Sequence, residues 1–576
     1  MIIILSLTVF VIQIQSKIMC GIFCLIQAGG IKIDIQAASI CLTKLYSRGP
    51  EACMWKIIDF DDNIQIFIGF TRLAIMDQSD DGMQPFSDSE GNILVCNGEI
   101  YNYKELKKNH NLHTISDSDC EILLPMIKKI GFDECIKDLD AEFALIFFDK
   151  IQGKISVGRD RYGVRPLYQG YNEGTKTYGF ASELKALDFM METVEQVNPC
   201  YITSIDLTKL SNNDTSCTDI CEFISTKNFT HYYQSNIPET SMINTSIIDT
   251  SILNSIQQNI NTLLTNAVKK RLRSDRQIGF LLSGGLDSSL IVAIAAKLIG
   301  IENIVCFSIG VEGSPDIIAA KKVVEFLGIQ NHHIIPFDVK EGISMIPEVI
   351  RIVETYDITT IRASTPQYIM AKYIKENTKI RVLFSGEGSD EIHGSYRYFR
   401  DAPNPQQFHD EVIRLLSELY YFDNKRTDRT MAAWGLEVRV PFLDNEYVKY
   451  VTELDPRLFM YKKDYMEKML VRNSFRSCLP DEILYRSKEA FSDAVSNTET
   501  NWAKTIQIVA ESKITIDELN NNTYTINKPK TIDALYFRKI FDLFYNNRCS
   551  IIPHYWLPKF QKQDIYDPSA TILPCY

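Results

Sequence analysis

The segment Ile278-Gly279-Phe280-Leu281-Leu282 is a compact apolar run that passes directly into Ser283-Gly284-Gly285-Leu286-Asp287-Ser288-Ser289 and then into a helical pattern reaching Leu298. No other stretch restricts the fold so strongly. A short apolar run bounded by turn residues reads as a buried strand. Val305 to Ile309 and Arg381 to Phe384 repeat the scheme of a buried strand that ends in a polar, glycine-bearing turn. Strands of this kind alternating with helices predict an α/β doubly wound parallel sheet, in which ligands collect at the carboxyl ends of the strands.

The turn after the first strand carries chemistry. Ser283 to Ser289 sets two glycines and three hydroxyls at a helix N-terminus, where unpaired backbone N–H groups and the helix dipole attract phosphate. It is neither Gly-x-Gly-x-x-Gly nor a Walker loop, because no Lys follows the glycines. Asp287 stands where a Mg²⁺ ion bridging those phosphates needs a hard oxygen ligand. A second loop, Ser385-Gly386-Glu387-Gly388-Ser389-Asp390-Glu391, follows Val382-Leu383-Phe384. Its three carboxylates repel one another unless a cation or a proton is shared among them, and a metal bound with phosphate at the first loop would supply the cation. Alone, the first loop is also a tight strand-to-helix turn and the second a solvated turn; the pairing gives them weight.

Near the N-terminus, Met19-Cys20-Gly21-Ile22-Phe23 places a cysteine right after an internal methionine. If the mature chain starts at Cys20, its α-amine, with an ordinary pKa of about 7.7 to 8.0, can act as general base for the thiol of the same residue. The alternative is an ordinary cysteine at the start of a strand. Met1 to Ile14 is apolar like a signal-peptide core, yet has no basic residue before it and no Ala-x-Ala site after it. It is also short for a bilayer span. Residues 1–19 therefore read as a leader or misassigned start that is absent from the active enzyme.

From Ile22 to about Leu207, short strand-like runs (Ile64 to Phe70, Ile93 to Cys96, Phe143 to Phe148, Tyr178 to Ala181) interleave with helical stretches (Ile35 to Tyr46, Cys120 to Ile130). This predicts sheets covered by helices, an α+β domain over residues 20–210. Residues 211–255 turn rich in Asn, Ser, Thr and Ile with little periodicity, and read as a linker or insertion. Residues 256–576 form the second domain.

A chain of 576 residues is too long for one core. Its net charge of -12 argues against nucleic-acid or anionic-membrane partners. The 14 cysteines lack paired metal spacing, so reduced thiols in a cytoplasmic protein are expected.

Ser283 to Ser288 resembles the Ser-Gly-Gly-x-Asp-Ser pyrophosphate loop of ATP pyrophosphatases. The chain from Cys20 almost to the C-terminus resembles the glutamine-dependent asparagine synthetases. The first half matches in Met19-Cys20-Gly21-Ile22-Phe23, Arg48-Gly49-Pro50, Arg72-Leu73-Ala74-Ile75, Asn97-Gly98-Glu99-Ile100-Tyr101-Asn102, Ser118-Asp119-Cys120-Glu121, Gly158-Arg159-Asp160 and Ala181-Ser182-Glu183. The second half matches in Glu354-Thr355-Tyr356-Asp357, Thr359 to Pro366, Glu437 to Asp444, Lys488 to Asp493 and Asp567-Pro568-Ser569.

The resemblance implies an N-terminal-nucleophile glutaminase of αββα fold followed by an ATP-pyrophosphatase-type synthetase domain. It makes Cys20 the nucleophile and gives the oxyanion hole to Asn97 and the Gly98 N–H. Arg72 would pair with the glutamine α-carboxylate, Asp119 would hold the α-ammonium, and Glu99 would help fix the substrate, with Leu73, Ala74, Ile75 and Met76 beside them. Leu282, Ser283, Gly284, Gly285, Asp287, Ser288, Ile309, Ser385 and Gly386 would bind ATP, and Asp287 and Asp390 Mg²⁺. Glu387 would deprotonate ammonia as it attacks β-aspartyl-AMP, Lys488 would neutralise phosphate, and Thr359 to Thr365 would contact aspartate.

The partners implied are L-glutamine, L-aspartate and ATP, with a dry path for ammonia; a homodimer is compatible with the resemblance. Ser47 stands where the family usually has His, Glu51 where it has Asp, and Cys200 where Gly is common. Two alternatives stay open: an amidotransferase or β-lactam-synthetase-like ligase acting on another carboxylate, and a non-catalytic binding protein that keeps the fold.

Overall fold

The computed structural model describes residues 20–49, 51–212, 224–228, 250–461, 466–487, 495–496, 501–560, 566 and 568. The chain divides into two compact units: residues 1–231 with 432–437, and residues 232–431 with 438–576.

In the first unit one six-stranded sheet has the order β10-β8-β9-β1-β3-β2. Its strands are β1 (Gly21–Gln27), β2 (Ala52–Asp59), β3 (Gln65–Arg72), β8 (Tyr168–Asn172), β9 (Thr177–Ala181) and β10 (Thr193–Gln196). The other sheet runs β12-β11-β7-β6-β5-β4, from β4 (Phe86–Ser87), β5 (Ile93–Ile100), β6 (Ala141–Asp149), β7 (Lys154–Arg159), β11 (Tyr201–Asp206) and β12 (Ile224–Asn228). Strand alternation explains the layering. Ile22, Cys24 and Ile26 of β1 meet Ile93 and Val95 of β5 in a buried core between the sheets. The alternate residues Leu94 and Cys96 pack outward in a second core with Leu123 and Ile127 of α2 (Leu123–Ile130) and Phe132 and Ile136 of α3 (Phe132–Asp138). On the far side, Leu42 of α1 (Ile35–Thr43) packs over Gly69 of β3, where any side chain would collide with it. The result is the expected αββα arrangement.

The second unit is built on a five-stranded sheet of order β15-β14-β13-β16-β17. Here β13 (Ile278–Leu281) pairs in parallel with β14 (Val305–Gly310) and β16 (Val382–Phe384), and β14 with β15 (Asn331–Pro336); β17 (Glu437–Arg439) lies at the edge. Each central strand feeds a helix: β13 leads to α4 (Leu286–Ile299), β14 to α5 (Pro315–Leu327) and β16 to α7 (Ser389–His393), with α6 (Ile358–Asn377) ahead of β16.

The segment read as a linker or insertion, 211–255, is not uniform. Its residues 224–228 pair with β11, Tyr201 opposite Asn228, and a helix begins at Thr250. An edge strand needs backbone bonds on one side only, so it tolerates the Asn/Ser/Thr composition that hides it from periodicity.

Candidate active sites

In the first unit the motif residues gather around Cys20. Leu73 N–H points at Cys20 Sγ (3.3 Å), and the thiol faces Leu73 O at 3.4 Å. Buried Arg48 donates from Nε to the Cys20 carbonyl (2.9 Å) and from Nη1 to Glu183 (2.8 Å). Ile22 N–H bonds to Ser182 Oγ at 3.0 Å. The Arg-Gly-Pro and Ala-Ser-Glu motifs thus hold the start of β1 in place. Asp160 acts elsewhere, its carboxylate accepting from the backbone N–H groups of Tyr162, Val164 and Arg165 at 2.9–3.1 Å. Burial pushes the Cys20 thiol up to about 12, against a smaller lowering by the Leu73 backbone bond. Such a thiol needs a base in contact to become a thiolate.

A cavity of about 20 Å³ adjoins it, lined by Cys20, Arg72, Leu73, Ile75, Met76, Gly98, Glu99 and Asp119 among others. Ala74 and Asn97 are not among its lining residues. Ala74 N–H bonds instead to Glu51 Oε2 (2.9 Å), so the glutamate found in place of the family's aspartate braces this loop. Asn97 follows Ile93 and Val95 on the face toward the inter-sheet core, against which Cys20 also packs. Its Nδ2 is buried and has no hydrogen-bond partner. A donor buried in this way is costly, and a substrate oxyanion would satisfy it. Arg72 is fixed by bonds from its guanidinium to the carbonyls of Ser79 (2.5 Å) and Asp77 (2.6 Å).

The N–H groups of Cys96, Gly98 and Ile100 share one edge of β5, because successive strand N–H groups alternate in direction. Cys96 N–H goes to Gln84 Oε1 at 2.6 Å and Ile100 N–H to Asp119 Oδ2 at 2.6 Å. The Gly98 N–H lies between them at the cavity wall. Only glycine fits there: a Cβ would run into the Glu142 carbonyl and lie 2.7 Å from Phe143 Cα.

In the second unit a cavity of about 260 Å³ opens at the carboxyl ends of β13, β14 and β16. Leu282, Ser283, Gly285, Asp287, Ser288, Ile309, Ser385, Gly386, Glu387 and Asp390 all line it. Gly284 lies behind, at φ +76° against the backbone of Ala319 and Ala320, a combination no other residue accepts. Of the segment 359–365, Thr359, Thr360, Arg362 and Ala363 face the cavity. Asp357 is a helix cap, bonded to Thr360 N–H (2.9 Å) and Trp556 N–H (2.8 Å). Lys488 lies outside the described residues.

Two groups at this cavity escaped the sequence reading. Lys468 Nζ contacts Asp287 at 2.7 and 2.8 Å and Asp390 at 2.6 Å, with its side chain 2 % exposed. Arg426 Nη2 contacts Glu387 at 2.7 Å and Asp423 at 2.9 Å. Burial opposes charge on Arg426, and the two carboxylates overcome it and hold the guanidinium protonated. Neither cation sits in a glycine-rich or spaced motif; Asp423 is a local partner of Arg426, three residues away, but Glu387, Asp390 and Asp287 lie 39 to 181 residues from their cations and are joined to them only by the fold.

Among the described residues no cluster of three or more His, Cys, Asp or Glu side chains forms a metal cage. Asp287 and Asp390 instead converge on one cationic nitrogen. Two carboxylates focused in this way suit Mg²⁺, which takes its remaining ligands from phosphate and water.

Residues 19–240 match the glutamine amidotransferase domain family, and residues 259–412 and 400–548 the asparagine synthase family. The chain is 58% identical over 556 residues to a probable glutamine-hydrolysing asparagine synthetase of Acanthamoeba polyphaga mimivirus, covering 96% of this chain and 100% of that one. The chain belongs to the glutamine-hydrolysing asparagine synthetase family. The mouse and human asparagine synthetases are 38% and 37% identical to it, each aligned over 97% of this chain and 99% of their own. Asparagine synthetases of this family are ligases, and the order of the two units, glutaminase then synthetase, is the family's own.

Proposed function

We propose that Cys20 hydrolyses glutamine in the first unit, and that the larger cavity of the second activates aspartate with ATP and receives the ammonia. The observation that carries this division is the gathering of each motif set inside one unit, around Cys20 in one and around Asp287, Asp390 and Lys468 in the other. The glutaminase domain is assigned to 20–210 and the synthetase domain to 256–576.

In this reading residues 1–19, a leader or misassigned start, are absent from the active enzyme, and the free α-amine of Cys20 takes the thiol proton, which burial otherwise retains. The thiolate attacks the glutamine side-chain carbon. Asn97 Nδ2 and the Gly98 N–H receive the oxyanion, which exists only along the reaction path. The C–N bond breaks, the amine returns the proton to the leaving ammonia, and water cleaves the thioester to glutamate. Arg72, Asp119 and Glu99 hold the amino-acid end of the substrate.

In the second unit the N-terminus of α4 and the loop 283–288 receive phosphate. Asp287 and Asp390 would hold Mg²⁺, which when bound would offset the charge of the phosphates. The aspartate β-carboxylate attacks the α-phosphorus and pyrophosphate leaves; ammonia then attacks the β-aspartyl carbon, Glu387 accepts a proton, and AMP leaves. Arg426 orients Glu387, and Lys468 and Lys488 balance phosphate charge. The setting is cytoplasmic, in keeping with described cysteines that form no disulfide with one another; no helix among the described residues is long and apolar enough to cross a membrane. Compatibility with a homodimer is carried over from the family.

The test is a double dissociation. Cys20→Ala should lose glutamine-dependent synthesis and keep ammonia-dependent synthesis; Asp287→Ala should lose both and keep glutaminase activity. Loss of both activities in correctly folded Cys20→Ala would refute the division.

A further inference from the structure

We propose that Gln84 is a positioning residue for glutamine hydrolysis, its carboxamide standing in for a missing stretch of β4 and holding β5 where Asn97 and Gly98 meet the substrate. The inference rests on the oxyanion assignment made above.

Strand β4 has two residues, pairing Phe86 with Leu94 and Ser87 with Ile93. Two further steps in that register would set Gln84 opposite Cys96. The backbone ladder stops at Phe86. The side chain of Gln84 supplies the bonds instead. A carboxamide carries the same donor and acceptor as a peptide group. Oε1 accepts Cys96 N–H at 2.6 Å and Nε2 donates to Cys96 O at 3.1 Å. This is the double exchange of a hydrogen-bonded antiparallel pair, made by a side chain.

The location gives that pair its consequence. Cys96 immediately precedes Asn97, and Gln84 is 4 % exposed and lines the same cavity as Cys20, Arg72 and Asp119. Along the cavity edge of β5 the Gly98 N–H lies between two anchored groups, Cys96 N–H on Gln84 and Ile100 N–H on Asp119. The opposite edge is paired with β6 from Ile93 to Ile100. Releasing the Gln84 anchor therefore frees the edge that carries the oxyanion donor while the β6 edge stays paired. Displacement of a donor by about an ångström is enough to cost catalysis about 10²-fold. Ground-state binding by Arg72, which ends β3 and is held by the carbonyls of Ser79 and Asp77, is untouched.

Gln84→Leu keeps the volume and removes both bonds. For the full chain with Cys20 exposed, kcat for glutamine hydrolysis should fall about 10- to 100-fold, with KM for glutamine within about two-fold. Ammonia-dependent synthesis should be unchanged; the thermal transition of the first unit should fall, because Cys96 N–H and O are left buried without partners, so the kinetics are read well below it. Gln84→Glu retains the acceptor for Cys96 N–H and loses the donor, so its kcat should fall between the two.

An unchanged kcat in Gln84→Leu would overturn the proposal, as would a loss carried by a rise in KM for glutamine with kcat unchanged. Asn97→Ala, assayed beside them, should lower hydrolysis about 10²- to 10³-fold. If Asn97→Ala is impaired and Gln84→Leu is not, the Gln84 inference alone fails; if Asn97→Ala hydrolyses glutamine normally, the oxyanion assignment itself has failed.

Discussion

The cavity beside Cys20 has a volume of about 20 Å³, room for about one water molecule, whereas the cavity over β13, β14 and β16 has about 260 Å³. Their chemistry differs as much as their size. The small one keeps its nucleophile protonated by burial, and Asn97, between its lining residues Cys96 and Gly98, has a buried Nδ2 without a partner. The large one gathers carboxylates and matches them at once with cations, Lys468 on Asp287 and Asp390, Arg426 on Glu387. In the proposed reading a neutral amide substrate arrives at the first and a polyanion at the second. One site waits for charge that appears only in the transition state; the other is balanced before substrate arrives.

The largest expected effect tests the balanced site. Lys468→Met leaves two carboxylates facing one another without their shared cation, and removes a positive charge from the place where phosphate would sit. Asparagine synthesis from either nitrogen source should fall about 10²- to 10³-fold, the scale of losing one preorganised charge stabiliser. Glutaminase activity should not change, because Lys468 belongs to the other unit. Parallel steady-state assays of glutamate and pyrophosphate decide it; a fall in glutaminase activity would break the contrast between the cavities.

A second expectation follows from what each unit buries. In the first unit burial raises the thiols of Cys20 to about 12 and Cys53 to about 11, and those of Cys24 and Cys135 further. In the second, burial raises Tyr356 and Tyr524 to about 12 and Tyr447 and Tyr555 further, with Cys306 the raised thiol. Below pH 9 both states hold these protons and nothing changes with pH. Above the ordinary thiol value of 9.0 the unfolded chain releases protons that the folded first unit retains, so its stability falls toward pH 11 or 12. Each thiol contributes a slope of at most about 1.4 kcal/mol per pH unit. The tyrosines begin one step later, from their ordinary 10.0. Hydrogen exchange between pH 8 and 11 should therefore show the first unit loosening before the second, and the reverse order would refute the assignment.

How much of this was legible beforehand differs between the two cavities for a physical reason. Local chemistry is written locally: the loops 283–288 and 385–391 declare themselves because glycines and oxygens must lie together in sequence to cradle phosphate. The strands were visible as cores but short at the ends; β5 was read to Cys96 and runs to Ile100, because Asn97, Gly98 and Glu99 are chosen for the site and break the apolar pattern. Partners joined by the fold were not legible. Lys468 lies 181 residues from Asp287, and Gln84 meets Cys96 through its side chain, beyond the end of β4. Strand β12 was hidden by a composition typical of loops.

A third change presses on the small site's geometry. Gly98→Ala puts a methyl group against the Glu142 carbonyl and Phe143 Cα, across a strand pair with no side chain to yield. Overpacking of this kind costs about 1–3 kcal/mol. The first unit should melt earlier by calorimetry while the second keeps its transition, and glutaminase activity should fall more than stability alone explains. Equal stability of Gly98→Ala and the parent would mean that β5 and β6 can separate there, and the oxyanion site would then not be rigid.

The smallest effect concerns Cys200, which occupies a position where the family commonly has glycine. Its φ is +66°, in the left-handed region, and it is buried with its thiol on the Arg161 carbonyl at 3.3 Å. Holding a residue with a Cβ in that conformation costs about 1–2 kcal/mol. Cys200→Gly recovers that strain, loses the weak thiol bond, and adds about 0.5–1 kcal/mol of unfolded-chain entropy, so a gain of about 0.5 kcal/mol or less is expected. Cys200→Val, branched at Cβ, should instead lose about 2 kcal/mol. Denaturant midpoints of the two variants give the answer by their difference: if Val is tolerated as well as Gly, the backbone at Cys200 is not strained, and the departure from glycine has no cost to the glutaminase unit.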